Sequence, residues 1–150
     1  MKSAEKVKNS EFRILIKWMY LKTTGNAATF NDYKSFIEQH ADYPRINRIK
    51  YLAEQKIYLR NNSPTSIVNW FEKNPPLGGL GKIKLAEAYL EQGKINQAEQ
   101  LVREGWTSAE ISKNNLGYYR AKFKKYLTSE DHLKRADYLA WEKKYWDLKR

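Results

Sequence analysis

Apolar residues recur along this chain at intervals of three and four, the period of a helix with one buried face. The clearest stretch is Gly81 to Trp106, GKIKLAEAYLEQGKINQAEQLVREGW. Leu85, Ala86, Tyr89 and Leu90 make one apolar stripe, and Ile95, Ala98, Val102 and Trp106 make a second. Gly93 lies between them, where a left-handed helix end costs least for a residue without Cβ. Two helices joined by so short a turn run antiparallel and face each other, and the small Ala86 and Ala98 let their backbones approach. The pattern predicts a helical hairpin of tetratricopeptide type. Such a unit cannot bury its apolar surface alone, so similar hairpins are expected on either side.

The punctuation of the remaining chain supplies them. Residues 5–23 read as a helix with Phe12, Leu15, Ile16 and Met19 on one face, ending at Gly25-Asn26. Thr29 to Asp32 spells a capping box, in which hydroxyl and carboxylate satisfy orphan amides reciprocally. It opens a short helix carrying Phe30, Tyr33 and Ile37. Pro44 is expected to start a third helix, with Ile46, Ile49, Ala53 and Ile57 on its stripe, since a first-turn amide lacks a partner anyway. Ser63-Pro64 starts a fourth, with Ile67, Trp70 and Phe71, which stops at Asn74-Pro75-Pro76. Gly78 to Gly81 reads as a loop. Further capping boxes are expected at Thr107 to Glu110 and Thr128 to Asp131, with a helix break between them at Asn114-Asn115 or Gly117. The final helix holds Leu133, Ala136, Leu139, Ala140, Trp141 and Tyr145. No alternating run marks a strand. The expected fold is all-α, with about eight helices in short-looped hairpins stacked as a tetratricopeptide-like α-superhelix. It is read as a single domain over residues 1–150, with the Pro75 to Gly79 loop the one hinge-like stretch.

Charge adds a direction. The 150 residues carry a net +11, unevenly spread. Residues 1–25 hold six Lys or Arg against two acids, 26–112 eleven against ten, and 113–150 eleven against five. Basic ends around a neutral middle favour polyanions: nucleic acid, anionic headgroups or a carboxylate-bearing cell-wall polymer. There is no cysteine, which removes disulfides and thiolate metal sites. The longest apolar run, Phe12 to Leu21, is interrupted by Arg13 and Lys17 and is about half the length a bilayer requires. No membrane span is expected, and no signal peptide is visible.

The order of the pieces matches a known pattern. Phe36-Ile37-Glu38-Gln39-His40-Ala41-Asp42-Tyr43-Pro44 is similar to the F-L-x-x-H-P-D-W-P segment of bacterial soluble lytic murein transglycosylases. Ala53-Glu54, Trp70-Phe71, Asn74-Pro75-Pro76 with Gly81, Leu85-Ala86, and Gly93 with Ala98 follow in turn. Then come Leu101-Val102-Arg103 with Trp106, and a closing segment from Leu127-Thr128 through Asp131-His132, Arg135, Asp137 and Leu139 to Trp141. That segment resembles L-T-x-x-D-H-x-x-R-x-D-x-L-L-W. Ala41 stands where proline is usual and Tyr43 where tryptophan is usual. The resemblance covers the family's superhelical region, from about residue 10 to the end, and not its lysozyme-like catalytic domain. The family's catalytic Glu-Ser and its Gly-Leu-Met-Gln motif are absent from this sequence. The resemblance therefore implies a periplasmic, non-catalytic, fragment-like superhelix acting on or around murein (peptidoglycan), with no catalytic residue carried over.

Candidate chemistry is correspondingly sparse. Glu54 and Glu87, beside Ala53 and Ala86, are the best placed to serve as a proton donor to a glycosidic bond; the plainer reading pairs each with a Lys or Arg, or has it cap a helix. His40 and His132 lack the spacing of a zinc site, Gly78 to Gly81 lacks the ending of a phosphate loop, and neither metal nor cofactor is expected. Asp131 and Arg135 are spaced for a surface ion pair. Sugar rings stack on aromatics, so Tyr118, Tyr119, Trp141 and Trp146 are the candidates for glycan contact, with packing as the plainer alternative. Trp70, Trp106 and Trp141 sit at stripe positions and read as structural.

Three functions compete. The first is the non-catalytic superhelix that positions glycan strands or serves as a packing scaffold. The second is a basic nucleic-acid binder, because Thr107 to Lys125 superficially resembles a helix-turn-helix with Arg120, Lys122, Lys124 and Lys125 on its second helix. It ranks lower, since Tyr118, Ala121 and Lys125 form a row suited to solenoid packing. The third is a protein-interaction solenoid. The last helix lacks a polar cap, which leaves self-association through exposed terminal helices open.

Overall fold

The computed structural model describes residues 10–149. Among these the chain is all-helical, in the order α1 (Ser10–Lys22), α2 (Phe30–Gln39), α3 (Ile46–Glu54), α4 (Pro64–Lys73), α5 (Gly79–Glu91), α6 (Ile95–Ser108), α7 (Lys113–Phe123), α8 (Ser129–Trp141) and the short α9 (Tyr145–Leu148). It divides into two compact units, Met1–Lys56 and Ile57–Arg150. The division falls between Lys56 and Ile57.

In the first unit, α1 ends as its sequence indicates. Gly25 takes φ +75°, and the Asn26 amide donates back to the carbonyls of Tyr20 (3.1 Å) and Thr23 (2.8 Å). These are the orphan acceptors of a helix C-terminus. The expected start of α1 at residue 5 lies outside the described residues. Its expected apolar face does not become a buried one: Phe12, Leu15 and Met19 are exposed, and Leu21 is the fully buried residue of α1. The Thr29–Asp32 capping box forms in full, and the helix it opens buries Phe30, Tyr33, Phe36 and Ile37. Tyr33 completes the join by donating its hydroxyl to the Leu21 carbonyl at 2.9 Å. Pro44 does not begin α3. Its carbonyl accepts from the Trp18 indole at 2.8 Å, and Arg45, at φ 57°, is the N-cap two residues later than expected. Glu54 is buried at the end of α3.

In the second unit, Ser63 caps α4 with proline at its first position, as read from sequence. Helix α5 is the centre. Gly79 to Gly81, expected to be a loop, form its first turn, because the glycines permit a backbone contact that side chains would forbid. A Cβ at Gly79 would meet the Ala109 nitrogen at 2.5 Å and the Gly105 oxygen at 2.6 Å; one at Gly105 would meet the Gly79 oxygen at 2.7 Å. The start of α5 thus touches the end of α6. Gly93, at φ +74°, makes the tight turn between them. Ala86, Ala98, Val102 and Trp106 are fully buried along the hairpin, although Ile95 is exposed.

Four further expectations are corrected. Thr107 does not cap a helix, because α6 runs through Ser108 and the break lies at Ala109 to Ser112, with Ala109 extended at φ −64°, ψ 123°. Asn114, Asn115 and Gly117 are inside α7. Arg135 does not form a surface pair with Asp131. Asp131 completes the Thr128 capping box, while the buried Arg135 donates Nη1 to the carbonyls of Trp106 and Ala109, the latter at 2.9 Å. A cation is favoured at a helix C-terminus, where carbonyls lack partners. This contact joins α8 to the end of α6. The packing row of α7 is Leu116, Tyr119 and Phe123; Tyr118, Ala121 and Lys125 are exposed.

The glycines give a graded prediction in denaturant unfolding. Gly79→Ala meets backbone that cannot swing aside and should lose about 1–3 kcal/mol. Gly93→Ala should lose roughly 1 kcal/mol from the left-handed backbone alone. Gly117, in a helix interior with open space around it, should gain about 0.5–1 kcal/mol on substitution by alanine. Equal effects at all three positions would contradict the contact geometry.

Candidate functional site

Helix α5 buries almost its whole circumference. Ile83, Lys84, Leu85, Ala86, Glu87 and Ala88 are all buried in succession. Two of these six are charged, so the surrounding structure has to meet their needs, since a buried charge without partners is strongly unfavourable.

Glu87 is well met. Its Oε1 accepts from the Tyr118 hydroxyl at 2.9 Å and from Lys122 Nζ at 3.2 Å, and its Oε2 accepts from the Tyr119 hydroxyl at 3.3 Å. Lys122 also lies 3.6 Å from Glu91 and 3.0 Å from the Tyr118 oxygen. All three donors come from α7, whose 118, 119 and 122 positions share one side of the helix. The carboxylate therefore fixes the rotation of α7 against α5.

Lys84 is met differently. It is 4% exposed, and its ammonium lies 4.3 Å from the centre of the Tyr58 ring and 5.4 Å from that of Tyr119. Among the described residues it makes no hydrogen bond or ion pair. Aromatic faces attract a cation but do not accept its protons as oxygen does. Burial is the main cause that brings the Lys84 pKa down to about 8; the Glu87 charge opposes the fall, and Lys122 and Arg60 add to it. Burial pushes the Tyr119 phenol strongly upward, helped by the Glu87 charge, and raises Tyr118 as well. For Lys122, burial pulls downward, but its bonds to Tyr118 and Glu87 outweigh that and leave it raised.

Lys84 and Glu87 line an open cavity of about 350 Å³, whose other walls are Tyr58, Leu59, Arg60, Asn115, Tyr118 and Tyr119. Arg60 extends over the Tyr58 ring at 5.0 Å. The site thus combines three phenol rings, one amide, two cations and one carboxylate.

The structure brings Tyr118, Tyr119 and Glu87 together, with the two tyrosine rings edge-on at 5.1 Å. Tyr119 is buried and Tyr118 half exposed. Trp141 and Trp146 do not join them. They are 85% and 78% exposed on α8 and α9, so the stripe reading of Trp141 as structural is also corrected. Trp70 and Trp106 are core residues. His132 packs its ring edge-on against Trp106 at 5.6 Å, and His40 is the C-cap residue of α2. No group of three or more potential ligand residues could hold a metal ion among the described residues. No helix there is long and apolar enough to cross a membrane. Sequence reasoning missed Lys84 and Tyr58. The available signal was a lysine set between Ile83 and Leu85, within an otherwise apolar run.

The Lys84 shift makes a prediction about stability against pH. Between pH 8 and about 10, the unfolded chain keeps the Lys84 proton that the folded chain has released. The unfolded state then binds more protons, so stability rises with pH across this window, by up to the order of 3 kcal/mol. Above about pH 10, the raised Tyr118, Tyr119 and Lys122 reverse the sign, because the folded chain retains their protons longer. Lys84→Met should abolish the rise, so that in urea unfolding from pH 7 to 10 the wild-type stability climbs relative to the variant's. An unchanged slope would place the Lys84 ammonium in water.

In comparisons with protein families, curated proteins and solved structures, nothing matches this chain.

Proposed function

We propose that the chain is a non-catalytic helical segment that holds a glycan strand of murein, as the superhelical region of a periplasmic lytic transglycosylase would. The observation that carries this reading is the cavity walled by Tyr58, Tyr118 and Tyr119 with polar groups between the rings. Sugars present apolar ring faces and a rim of hydroxyls, and such a wall offers surfaces for both. Its volume of about 350 Å³ falls within the range of small-ligand sites.

The same geometry argues against hydrolysis at this cavity. A general acid must hold a proton free to give to the leaving oxygen. Both oxygens of Glu87 instead accept from Tyr118, Tyr119 and Lys122. The nucleic-acid reading has less behind it. Lys122, one of the four cations expected to face phosphate, is committed to Glu87, and the helix break that suggested a helix-turn-helix lies elsewhere. It does not depend on the packing row expected at Tyr118, which is exposed.

The test is co-sedimentation with purified murein. The chain should pellet with it and release no anhydromuropeptides. Tyr118→Ala should weaken binding roughly tenfold, the equivalent of about 1.4 kcal/mol. Tyr118→Phe, which keeps the ring, should retain most of the binding. Failure to pellet would end the glycan reading, and product release by the wild-type chain would end the non-catalytic one.

A further inference from the structure

A lysine nitrogen is a nucleophile only after it loses its proton, and in water it keeps that proton to about pH 10. Lys84 is placed to lose it earlier. It is buried between Ile83 and Leu85, meets the Tyr58 and Tyr119 rings, and has no acceptor oxygen among the described residues. Burial brings its pKa to about 8, so near that pH half of the Lys84 side chains are neutral amines.

The amine is reachable. Lys84 lines the open cavity of about 350 Å³, which has room for a small electrophile and for the atoms it would add. The charged groups facing Lys84 are Arg60 from the segment before α4, Glu87 on its own helix and Lys122 on α7. The phenols of Tyr58, Tyr118 and Tyr119 complete the titratable surroundings. Glu87 already has its cation, Lys122 at 3.2 Å. Arg60 has none: it lies over the Tyr58 ring and makes no ion pair among the described residues. Two cations therefore share one cavity, and Arg60 lacks an anion.

We propose that Lys84 is a modification site for carbon dioxide, its neutral amine forming a carbamate that pairs with Arg60. The nitrogen lone pair forms an N–C bond, one C=O electron pair moves onto oxygen, and the proton left on nitrogen passes to solvent. No oxidant, reductant or leaving group takes part. The product carries two oxygens on a planar anionic group, the shape that a guanidinium meets with two parallel hydrogen bonds. The Asn115 amide, which lines the same cavity, can donate to a remaining lone pair. The repulsion between Lys84 and Arg60 becomes attraction, and a paired charge is far cheaper to bury than an unpaired one. The adduct becomes part of the chain, so this proposal does not depend on the glycan reading.

The experiment equilibrates the full chain at pH 8 with 13C-labelled bicarbonate and observes the carbamate carbon by NMR. Alkylation with triethyloxonium then traps the adduct, and peptide mapping by mass spectrometry locates it. The label should appear at Lys84 with an occupancy at least about tenfold above that of any other lysine, since ordinary lysines hold their protons to about pH 10. At fixed dissolved CO2 the Lys84 signal should rise as pH passes through 8, because the reaction consumes the neutral amine and releases a proton. Arg60→Gln should lower the occupancy roughly tenfold by removing a charge-assisted pair. Its circular dichroism should stay that of the wild type. Lys84→Met should remove the mapped adduct, and mapping of the wild-type chain decides the matter even where that variant fails to fold. No label at Lys84, label confined to the chain's α-amino group, or equal label on many lysines would each overturn the proposal. Label at Lys84 that is indifferent to Arg60→Gln would overturn the pairing that the proposal assigns.

Discussion

Helix α5 has no solvent face along Ile83 to Ala88, and much of the second unit follows from that constraint. A helix buried all round is ordinarily apolar all round. This one carries Lys84 and Glu87 three residues apart, so both charges project from the same side. The neighbours had to be polar there and apolar elsewhere. α7 meets the requirement with Tyr119, which packs in the core row beside Leu116 and Phe123 and still reaches Glu87 with its hydroxyl, and with Tyr118 and Lys122 at the edge of that row. Removing the carboxylate would leave two phenols without their acceptor and Lys122 with Glu91 and the Tyr118 oxygen alone. The polar cluster and the core packing of α7 are therefore one arrangement.

The opposite end of the hairpin is fixed by backbone. The Gly79–Gly105 approach leaves no room for side chains, so the start of α5 and the end of α6 meet main chain to main chain. Such closeness leaves the last carbonyls of α6 hard for water to reach. Arg135 reaches in from α8 to satisfy two of them, its guanidinium 5.1 Å from the Trp106 ring. Trp106 itself is fully buried with an indole nitrogen that has no acceptor, an omission worth about 1–3 kcal/mol against folding. Its large buried surface outweighs that penalty.

What was legible in the sequence was what local chemistry decides. The caps at Thr29, Ser63 and Thr128 and the turn at Gly93 each depend on residues within four positions of one another. The all-helical fold followed from the periodicity. What was hidden depends on distant partners. Thr107 to Glu110 has the spelling of a capping box, yet α6 continues through Thr107 because Trp106 is held in the core and Arg135 supplies the C-terminal donor from 29 residues away. Gly79 looked like loop because its contact, Gly105, lies on another helix. At the site, Tyr118, Tyr119 and Glu87 could be singled out as residue types, whereas their meeting, across 31 and 32 residues, could not. Trp141 shows the converse. Its stripe position promised a buried partner, and none covers it among the described residues.

Lys84 is the residue whose presence fold stability explains least. A methionine would fill much the same volume, pack against Tyr58 and Tyr119, and avoid burying a charge without an acceptor. Arg135, the other deeply buried cation of the unit, is different: it repays its burial with hydrogen bonds to two carbonyls. The contrast separates a cation held by main-chain carbonyls from one held against aromatic rings. Groups that weaken a fold locally, and that border open space, are where binding chemistry concentrates. Glu87 sharpens the contrast, because an ion pair between it and Lys84 is within geometric reach on the same helix face, yet the carboxylate is engaged by α7 instead. Lys84 therefore meets the cavity with aromatic neighbours and a lowered pKa, while the carboxylate on the same helix face is bound to α7.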